Sequence, residues 1–388
     1  MRIRFDKLGV LIAILLGLGT LLAPFATFRA NRIVPGSPRS ILESLPPAWG
    51  TALLIALGVA AVLAILKTSA AVRLAVAALG LLTLMLLIGT AGSFLTPEGN
   101  TYARVSPASG FWTLLFAFLL LVADAITRMK PKPTVRVLLL GVTLGALAAI
   151  LASGRWDALS LLKEYSGRAD VFWNEAAKHV TLAIGSLVAA VVVGLPLGIL
   201  CHRVRPLRAG VLNVLNLIQT IPSIALFGIL IAPLGWIAVN VPGAYAIGVR
   251  GIGAAPAFVA LFLYSLLPVV ANTVVGLAGV PREANEAARG IGMTGAQRLL
   301  RVEFPLALPV ILTGIRIVLV QNIGLATIAA LIGGGGFGVF VFQGIGQTAM
   351  DLVLLGAVPT VLLAFAAAII LDALIEINAP LNRAGRTA

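Results

Sequence analysis

Ten apolar stretches, each close to the length needed to cross a bilayer, constrain this chain more than any other feature. A transmembrane helix requires roughly 20 consecutive apolar residues. The first five stretches are 8–28, 49–66, 72–89, 110–127 and 135–151, and the second five are 179–201, 211–231, 254–280, 310–332 and 352–375. The sequence therefore predicts an all-α polytopic membrane protein with about ten transmembrane helices in two blocks of five.

Composition supports a protein whose main solvent is lipid. Hydrophobic residues make up 60% of the chain, charged residues 11%, and the mean hydropathy is +1.07, whereas a soluble domain is about 45–50% apolar. The net charge of +14 would point to nucleic acid in a soluble protein, but here the basic residues lie in short segments between apolar runs and so indicate membrane topology. We expect membrane lipid as a partner and no nucleic acid.

The single cysteine, Cys201, excludes an internal disulfide. Two histidines, His179 and His202, stand at opposite ends of one predicted helix, so they cannot share a metal ion. We expect both histidines to be interfacial residues and expect no metal site.

Lys and Arg residues divide unequally between the two sides of the predicted bundle. If the N-terminus is cytoplasmic, the cytoplasmic connections and ends carry 18 of them and the opposite side carries nine, as the positive-inside rule requires. The sequence thus predicts a multi-pass bacterial inner-membrane protein with cytoplasmic N- and C-termini.

Two segments allow an alternative topology. Residues 1–28 resemble a signal peptide, but the apolar run is longer than the 7–15 residues usual there, so we predict a retained anchor. Residues 234–253 are apolar but broken by Pro242, Gly243 and Gly251. We interpret them as an external loop or a partly inserted hairpin.

The domain organisation follows from these assignments. Residues 1–152 form a predicted accessory block of about five transmembrane helices, and 153–178 a polar periplasmic segment. Residues 179–378 form the core, which contains a cytoplasmic loop at 281–308, and 379–388 form a cytoplasmic tail.

The cytoplasmic loop 281–308 has the pattern of two short helices. Pro281 suits the first position of a helix, where its missing N–H is not needed, and Gly290 and Gly292 are predicted to end that helix. We name residues 281–305 the elbow.

The second half of the elbow begins with a helix cap. Thr294 and Gln297 have the spacing of a capping box, and Pro305 is predicted to end this helix. Ala287 and Ala288, on the first helix, are predicted to provide a flat surface that a partner protein can approach closely.

The elbow resembles the EAA loop of the permeases of binding-protein-dependent ABC importers. The residues that match are Glu286, Ala287, Ala288, Gly292, Val302, Phe304 and Pro305, with Val302 and Phe304 in place of the usual Ile and Leu. The similarity extends over about 175–378 and is stronger to osmoprotectant permeases in 219–230, in 261–273 and in the glycine run after Ile332. The resemblance thus places the chain in the osmoprotectant uptake family.

The resemblance implies both a function and partners. It implies a permease that imports an osmoprotectant such as glycine betaine, choline or carnitine across the inner membrane. The implied partners are cytoplasmic ATPase subunits, a second permease that is identical or paralogous, and a periplasmic or lipid-anchored solute-binding protein. The implied ATPase-coupling residues are Glu286, Ala287, Ala288, Gly292, Thr294, Val302, Phe304 and Pro305.

Two alternatives stay open at this point. The same core could import amino acids or another small solute. The N-terminal block could instead make the chain a membrane interaction or regulatory protein.

The sequence contains no GxxxxGK[ST] phosphate-binding loop. We therefore expect a transport permease rather than an enzyme, with no cofactor in this chain and with ATP and Mg²⁺ held by the partner ATPase. Asp124, Asp372 and Glu376 lie near predicted helix ends, whereas an ion-coupled symporter would be expected to keep an ionisable group at mid-membrane.

Several polar residues interrupt the apolar helices of the core. Such side chains usually face the bundle interior, where they either line a translocation path or bond helix to helix. They are Gln219, Thr220, Pro222, Asn272, Thr273, Gln321 and Asn322. A glycine run is predicted to form a flexible periplasmic gate or turn, and its residues are Gly333, Gly334, Gly335 and Gly336.

Overall fold

The computed structural model describes residues 5–378. The chain divides into two compact units, the first ending at Gly167 and the second beginning at Arg168. The expected cytoplasmic tail, 379–388, lies outside the described residues.

The first unit consists of seven helices and three short strands. In chain order they are α1 (Lys7–Leu21), β1 (Ala26–Arg29), β2 (Ser37–Arg39), α2 (Ile41–Ser44), α3 (Pro47–Ile65), α4 (Ala70–Leu95), β3 (Arg104–Pro107), α5 (Ser109–Met129), α6 (Pro133–Ala152) and α7 (Ser160–Ser166). Its apolar core is formed by the facing sides of α1, α3, α4 and α5.

A small antiparallel sheet, in the order β2–β1–β3, joins the loops at one end of this unit. Thr27 of β1 lies between Pro38 of β2 and Ser106 of β3, and Arg29 is paired with Arg104. The sequence did not indicate this sheet, because strands of three or four residues show too few alternations to reveal a period of two.

A buried charge network holds the other end of the first unit. Arg73 on α4 is 1% exposed and contacts Asp6 at 3.2 Å and Asp124 at 2.8 Å. Arg128 contacts the same two carboxylates at 2.6 and 2.8 Å. Arg73 also donates to two carbonyl groups at the end of α3. Two acids and two bases thus neutralise each other where α1, α3, α4 and α5 meet.

The described part of the second unit contains helices joined by turns and loops, and no strands. Its elements are α8 (Ala169–Arg203), α9 (Arg205–Thr220), α10 (Ser223–Asn240), α11 (Ala254–Ala278), α12 (Arg282–Gly290), α13 (Gly295–Arg298), a π turn (Leu299–Glu303), α14 (Phe304–Ala326), a 3₁₀ turn (Ile328–Ile332), α15 (Gly338–Gly346) and α16 (Met350–Asn378). Helix α11 is the centre of this unit and packs against α8, α9, α10 and α14.

The expectation of an all-α polytopic membrane protein is confirmed. Across residues 5–378, nine helical segments are long and apolar enough to span a membrane, and α1 is a shorter apolar helix of 15 residues. Helix α8 begins at Ala169, ten residues before the predicted start, so part of the predicted polar segment 153–178 is helical. Within that extension Glu175 and Lys178 pair at i,i+3, which supports the helix despite its polar sequence.

The prediction of a single helix over 211–231 is wrong. Helix α9 ends at Thr220 and α10 begins at Ser223, with Ile221 in an extended conformation between them. Pro222 is the cause, because its ring disfavours a helical conformation in the residue before it and it has no N–H to continue the hydrogen-bond ladder.

Candidate coupling elbow and transport pocket

The first helix of the elbow ends as the sequence predicts. Helix α12 runs from Arg282 to Gly290, and Gly292 follows with φ = +82°. The backbone N–H of Met293 bonds to the carbonyl of Ala288 at 3.0 Å, which closes the helix end. A left-handed residue at this point is most easily a glycine, because a Cβ atom destabilises that conformation.

The second helix starts with the predicted capping box. The hydroxyl of Thr294 accepts a hydrogen bond from the Gln297 N–H at 3.3 Å, and the Gln297 side chain accepts one from the Thr294 N–H at 2.9 Å. Two backbone donors that have no partner inside the helix are thereby satisfied.

The prediction that Pro305 ends this helix is wrong. Helix α13 passes through the π turn directly into α14, and Pro305 lies in the first turn of α14. The N–H of Phe304 bonds to the carbonyl of Leu299, an i→i+5 step. The widened turn shifts the hydrogen-bond register so that the proline falls where a helix tolerates it. The elbow is therefore continuous with a membrane-spanning helix.

The exposed surface of the elbow differs from the one predicted. Glu286 and Ala287 are exposed, but Ala288 is only 5% exposed and packs inward. Two large apolar side chains are instead directed outward, Ile291 at 74% exposure and Leu300 at 69%. The free surface of the elbow thus combines a carboxylate with apolar side chains.

Val302 and Phe304, both assigned to coupling by the resemblance, are partly buried. Phe304 packs against a core cluster that contains Leu277 and Ile311. It therefore anchors the elbow to α11 and α14 and is not part of the exposed surface.

A buried carboxylate, Glu303, connects the elbow to the end of α8, and sequence reasoning missed it. Glu303 is 3% exposed. It forms ion pairs with Arg203, in the last turn of α8, and with Arg298 of α13, whose Nε lies 3.0 Å from Oε1. The only signal in the sequence is an acidic residue next to the start of an apolar helix, and Arg203 is, from the sequence, one of the basic residues that indicate topology.

Four of the seven candidate path residues meet in one pocket. A cavity of about 290 Å³ lies at the break between α9 and α10, where α11 and α14 face it. Its lining includes Gln219, Thr220, Pro222 and Gln321, together with Ser223 and Tyr264. None of the described residues that line it is charged.

The other three candidates bond within or between helices. The Thr273 hydroxyl and the Asn272 amide donate to carbonyls one turn earlier in α11, at 2.7 and 2.8 Å. Asn322 is fully buried and donates to Ser186 and Ser265 at 2.9 Å each, which joins α14 to α8 and α11. These three residues are stabilising contacts and do not line the pocket.

Tyr264 supports the break and was also missed. Its hydroxyl donates to the carbonyl of Ile221, the extended residue between α9 and α10. The side-chain amide of Gln219 donates to the carbonyl of Tyr264 at 2.7 Å. The sequence did offer one indication, a lone tyrosine in an apolar helix. A buried tyrosine hydroxyl normally has a hydrogen-bond partner, so Tyr264 was a candidate for such a contact.

The glycine run forms a packed turn. Gly333, Gly335 and Gly336 have φ values of +76°, +78° and +86°. The Gly336 N–H donates to a carboxylate oxygen of Glu175 at 2.6 Å. A Cβ atom added at Gly335 would lie 2.6 Å from that same carboxylate oxygen. Both the backbone conformation and the close approach of α8 therefore require glycine here.

His179 lies beside this turn and corrects another expectation. It is 0% exposed rather than interfacial, and its ring lies 4.9 Å from that of Phe337.

Arg316 of α14, which lies within the membrane-spanning part of the helix, pairs with Asp372 of α16 at 3.0 Å.

The comparisons with known proteins cover both units. Residues 190–383, half of the chain, match the family model "Binding-protein-dependent transport system inner membrane component". Residues 6–162 match "ABC transporter permease YehY, N-terminal domain".

Curated relatives agree with these family models. The osmoprotectant import permease protein OsmW of Salmonella typhimurium strain LT2 is 46% identical over 197 residues, covering 51% of this chain and 83% of that protein. The glycine betaine/carnitine/choline permease OpuCB of Bacillus subtilis strain 168 is 36% identical over 190 residues, covering 49% and 80%.

Among solved structures, an inward-facing form of the MetNI methionine ABC transporter is similar. It aligns with a TM-score of 0.47 and 23% identity over 54% of this chain and 96% of that one. From the family match and the relatives together, the chain belongs to the binding-protein-dependent transport system inner membrane components, and it is a multi-pass inner-membrane permease of an ABC importer and not an enzyme.

Proposed function

We propose that this permease imports an osmoprotectant such as glycine betaine or a related quaternary amine, driven by ATP hydrolysis on a separate subunit. The names of the relatives support this class of solute. The observation that carries the coupling is the path of contacts from the exposed elbow through Glu303 to α8 and α14.

The elbow is suited to receive a push from a partner ATPase. Glu286, Ala287, Ile291 and Leu300 are exposed on it, so a partner groove can contact both a carboxylate and apolar side chains. Gly292 and Thr294 hold the shape of the turn. Because α13 continues into α14, a displacement of the elbow acts directly on a helix that lines the pocket.

The pocket at the α9–α10 break is proposed as part of the translocation path. Its uncharged lining suits a zwitterion with no net charge. Ser223 and Gln321 offer hydrogen bonds for a carboxylate, and the positive end of α10 faces the same space. The Thr220 hydroxyl lines the pocket but donates to the carbonyl of Leu217. A betaine carries no N–H group on its ammonium, so the aromatic Tyr264 is better suited to that end than a carboxylate would be.

The remaining assignments complete the proposal. A second permease, identical or paralogous, supplies the other half of the path, and a binding protein delivers the solute at the glycine turn 333–336, which acts as the periplasmic gate. ATP and Mg²⁺ bind to the partner ATPase and not to this chain. The basic residues of the short loops support cytoplasmic N- and C-termini.

The test of the solute is binding-protein-dependent uptake of labelled glycine betaine by proteoliposomes that contain the complete complex. Gln321→Ala should raise the KM for uptake several-fold without lowering thermal stability, since Gln321 lines the pocket. Thr313→Ala is the matched control on α14, because its hydroxyl only bonds to the carbonyl of Pro309. Uptake of an amino acid in preference to betaine would refute the proposed solute but not the importer.

A further inference from the structure

A second pocket, of about 400 Å³, lies in the first unit at the end opposite the buried charge network. Two loops form it, the one that leaves β1 and the one that enters β3, and both follow from the pairing of those strands. Its lining includes Asn31, Arg32, Ile33, Asn100, Tyr102 and Arg104. Neither the importer function nor the resemblance uses this pocket.

Each polar side chain that lines this pocket can donate hydrogen bonds. Asn31 and Asn100 each use their side-chain carbonyl oxygen to accept two backbone N–H groups, at 2.9–3.0 Å. Their amide NH₂ groups are what the two asparagines can offer to a ligand. Arg32 and Arg104 add two guanidinium groups, whose nitrogen atoms only donate hydrogen bonds.

Arg104 is poorly satisfied by the protein itself. Its Nη1 makes only two long contacts, of 3.4 Å each, to carbonyls of Thr101 and Ala103, and its Nε is buried without a partner. A guanidinium has five N–H donors, and a buried donor without a partner costs free energy. An oxyanion in the pocket would satisfy these donors.

Basic side chains also lie close together around the pocket, in an arrangement that does not stabilise the fold. Arg104 lies directly opposite Arg29 in the sheet, and like charges at paired positions destabilise a sheet. Burial and the positive charge of Arg104 lower the pKa of Lys163, whose ammonium is held at 2.9 Å from the carbonyl of Ala103. One carboxylate, Glu164, lies 3.7 Å from Arg32.

We propose that this pocket binds a phosphate-type oxyanion, held by Arg32 and Arg104 together with the two asparagine amides. The exposed residues at the edge of the pocket favour the phosphate of an anionic lipid headgroup as this oxyanion. Ile33 and Tyr102 are 94% and 76% exposed there, and Leu21 at the end of α1 is 80% exposed. Exposed apolar residues next to a tyrosine and basic side chains are typical of a membrane–water interface.

The test uses the full-length protein purified in an uncharged detergent, with two probes. Native mass spectrometry measures retention of phosphatidylglycerol against phosphatidylcholine, and calorimetry at constant ionic strength measures binding of inorganic phosphate. We expect Arg32→Gln and Arg104→Gln each to weaken binding about tenfold, because each removes a charge-assisted hydrogen bond. Arg104→Lys keeps the charge at the strand pair and should recover only part of the loss.

Arg155→Gln is the matched control, since it removes one positive charge from an exposed arginine that does not line the pocket. Preferential retention of phosphatidylglycerol by the wild type and by this control supports the lipid source. Binding of inorganic phosphate without lipid preference supports the same site with a soluble oxyanion. The proposal is overturned if neither probe binds, or if both arginine variants, folded by thermal melting, bind as Arg155→Gln does. Uptake of betaine is not part of this test, so its result is independent of the proposed function.

Discussion

Replacing Glu303 by Gln tests whether the buried ion pairs connect the elbow to the transmembrane helices. The substitution keeps the shape of the side chain but removes the charge that neutralises Arg203 and Arg298. Arg298 is 12% exposed and Arg203 36%, so Arg203 can turn to water while Arg298 is left as an uncompensated, largely buried charge. Breaking a buried pair costs about 3–5 kcal/mol, and the exposure of Arg203 places this case near the lower end.

A loss of about 3 kcal/mol should lower the Tm of the second unit by about 6–12 °C, using the 2–4 °C per kcal/mol typical of units of 150–250 residues. The assay is thermal unfolding of the purified protein in detergent, paired with uptake and ATPase rates of the reassembled complex below the new Tm. We expect uptake to fall well below the wild-type rate while ATP hydrolysis persists, because the elbow can still dock but no longer moves α8.

Arg301→Gln is the matched control, because Arg301 lies in the same π turn and is exposed. A double-mutant cycle of Glu303→Gln with Arg298→Gln should show a coupling energy of about 1–3 kcal/mol. Melting and transport of Glu303→Gln equal to those of Arg301→Gln, or an additive cycle, would show that Glu303 does not connect the elbow to α8.

Three further predictions test other parts of the structure. Burial raises the pKa of Asp6, but the hydrogen bond from Arg128 and the neighbouring cations outweigh it and hold the pKa below its ordinary value of 3.8. The stabilisation by ionised Asp6 is therefore present above about pH 3.8 and is lost as the pH falls through the lower folded pKa. Between pH 6 and 3 the Tm of Asp6→Asn should therefore fall less than the Tm of the wild type, and an equal fall would contradict this. Gly292→Val should lose about 1–2 kcal/mol from its left-handed conformation and reduce uptake more than Gly292→Asn does, with equal uptake by both as the contrary result. Asn322→Ala should lower stability by about 1–2 kcal/mol because it removes the hydrogen bonds that the buried hydroxyls of Ser186 and Ser265 accept from Asn322, without changing solute preference in competition uptake; a changed preference would place Asn322 in the path.

Features set by composition and local chemistry were predictable from the sequence. The ten apolar runs predicted the number of membrane helices well, since residues 5–378 contain nine helical segments long enough to span a membrane and the shorter apolar α1. Each run must satisfy its backbone hydrogen bonds internally in lipid. The end of α12 at Gly290 and the capping box at Thr294 were predictable, since both depend on residues within one turn of each other.

Features that depend on tertiary contacts were not predictable. A proline within an apolar run is compatible with a kink, a break or a continuous helix, so Pro222 and Pro305 gave opposite results from those expected. The break at Pro222 is stabilised by Tyr264, whose hydroxyl donates to the carbonyl of Ile221, 43 residues away along the chain. The continuity at Pro305 depends on a π turn whose i→i+5 bond has no sequence signature. Glu303 was missed because its partner Arg203 is 100 residues distant.

The central claim is that a separate ATPase drives import by pressing on the elbow. The most direct measurement is the uptake of labelled glycine betaine by proteoliposomes that contain the complete complex with its binding protein, comparing Glu286→Gln with Glu283→Gln. Both residues lie exposed on α12, and only Glu286 belongs to the matched motif. The account predicts uptake that requires ATP and that falls sharply in Glu286→Gln but not in Glu283→Gln. Uptake that follows an ion gradient without ATP, or that is equal in the two variants, would contradict it.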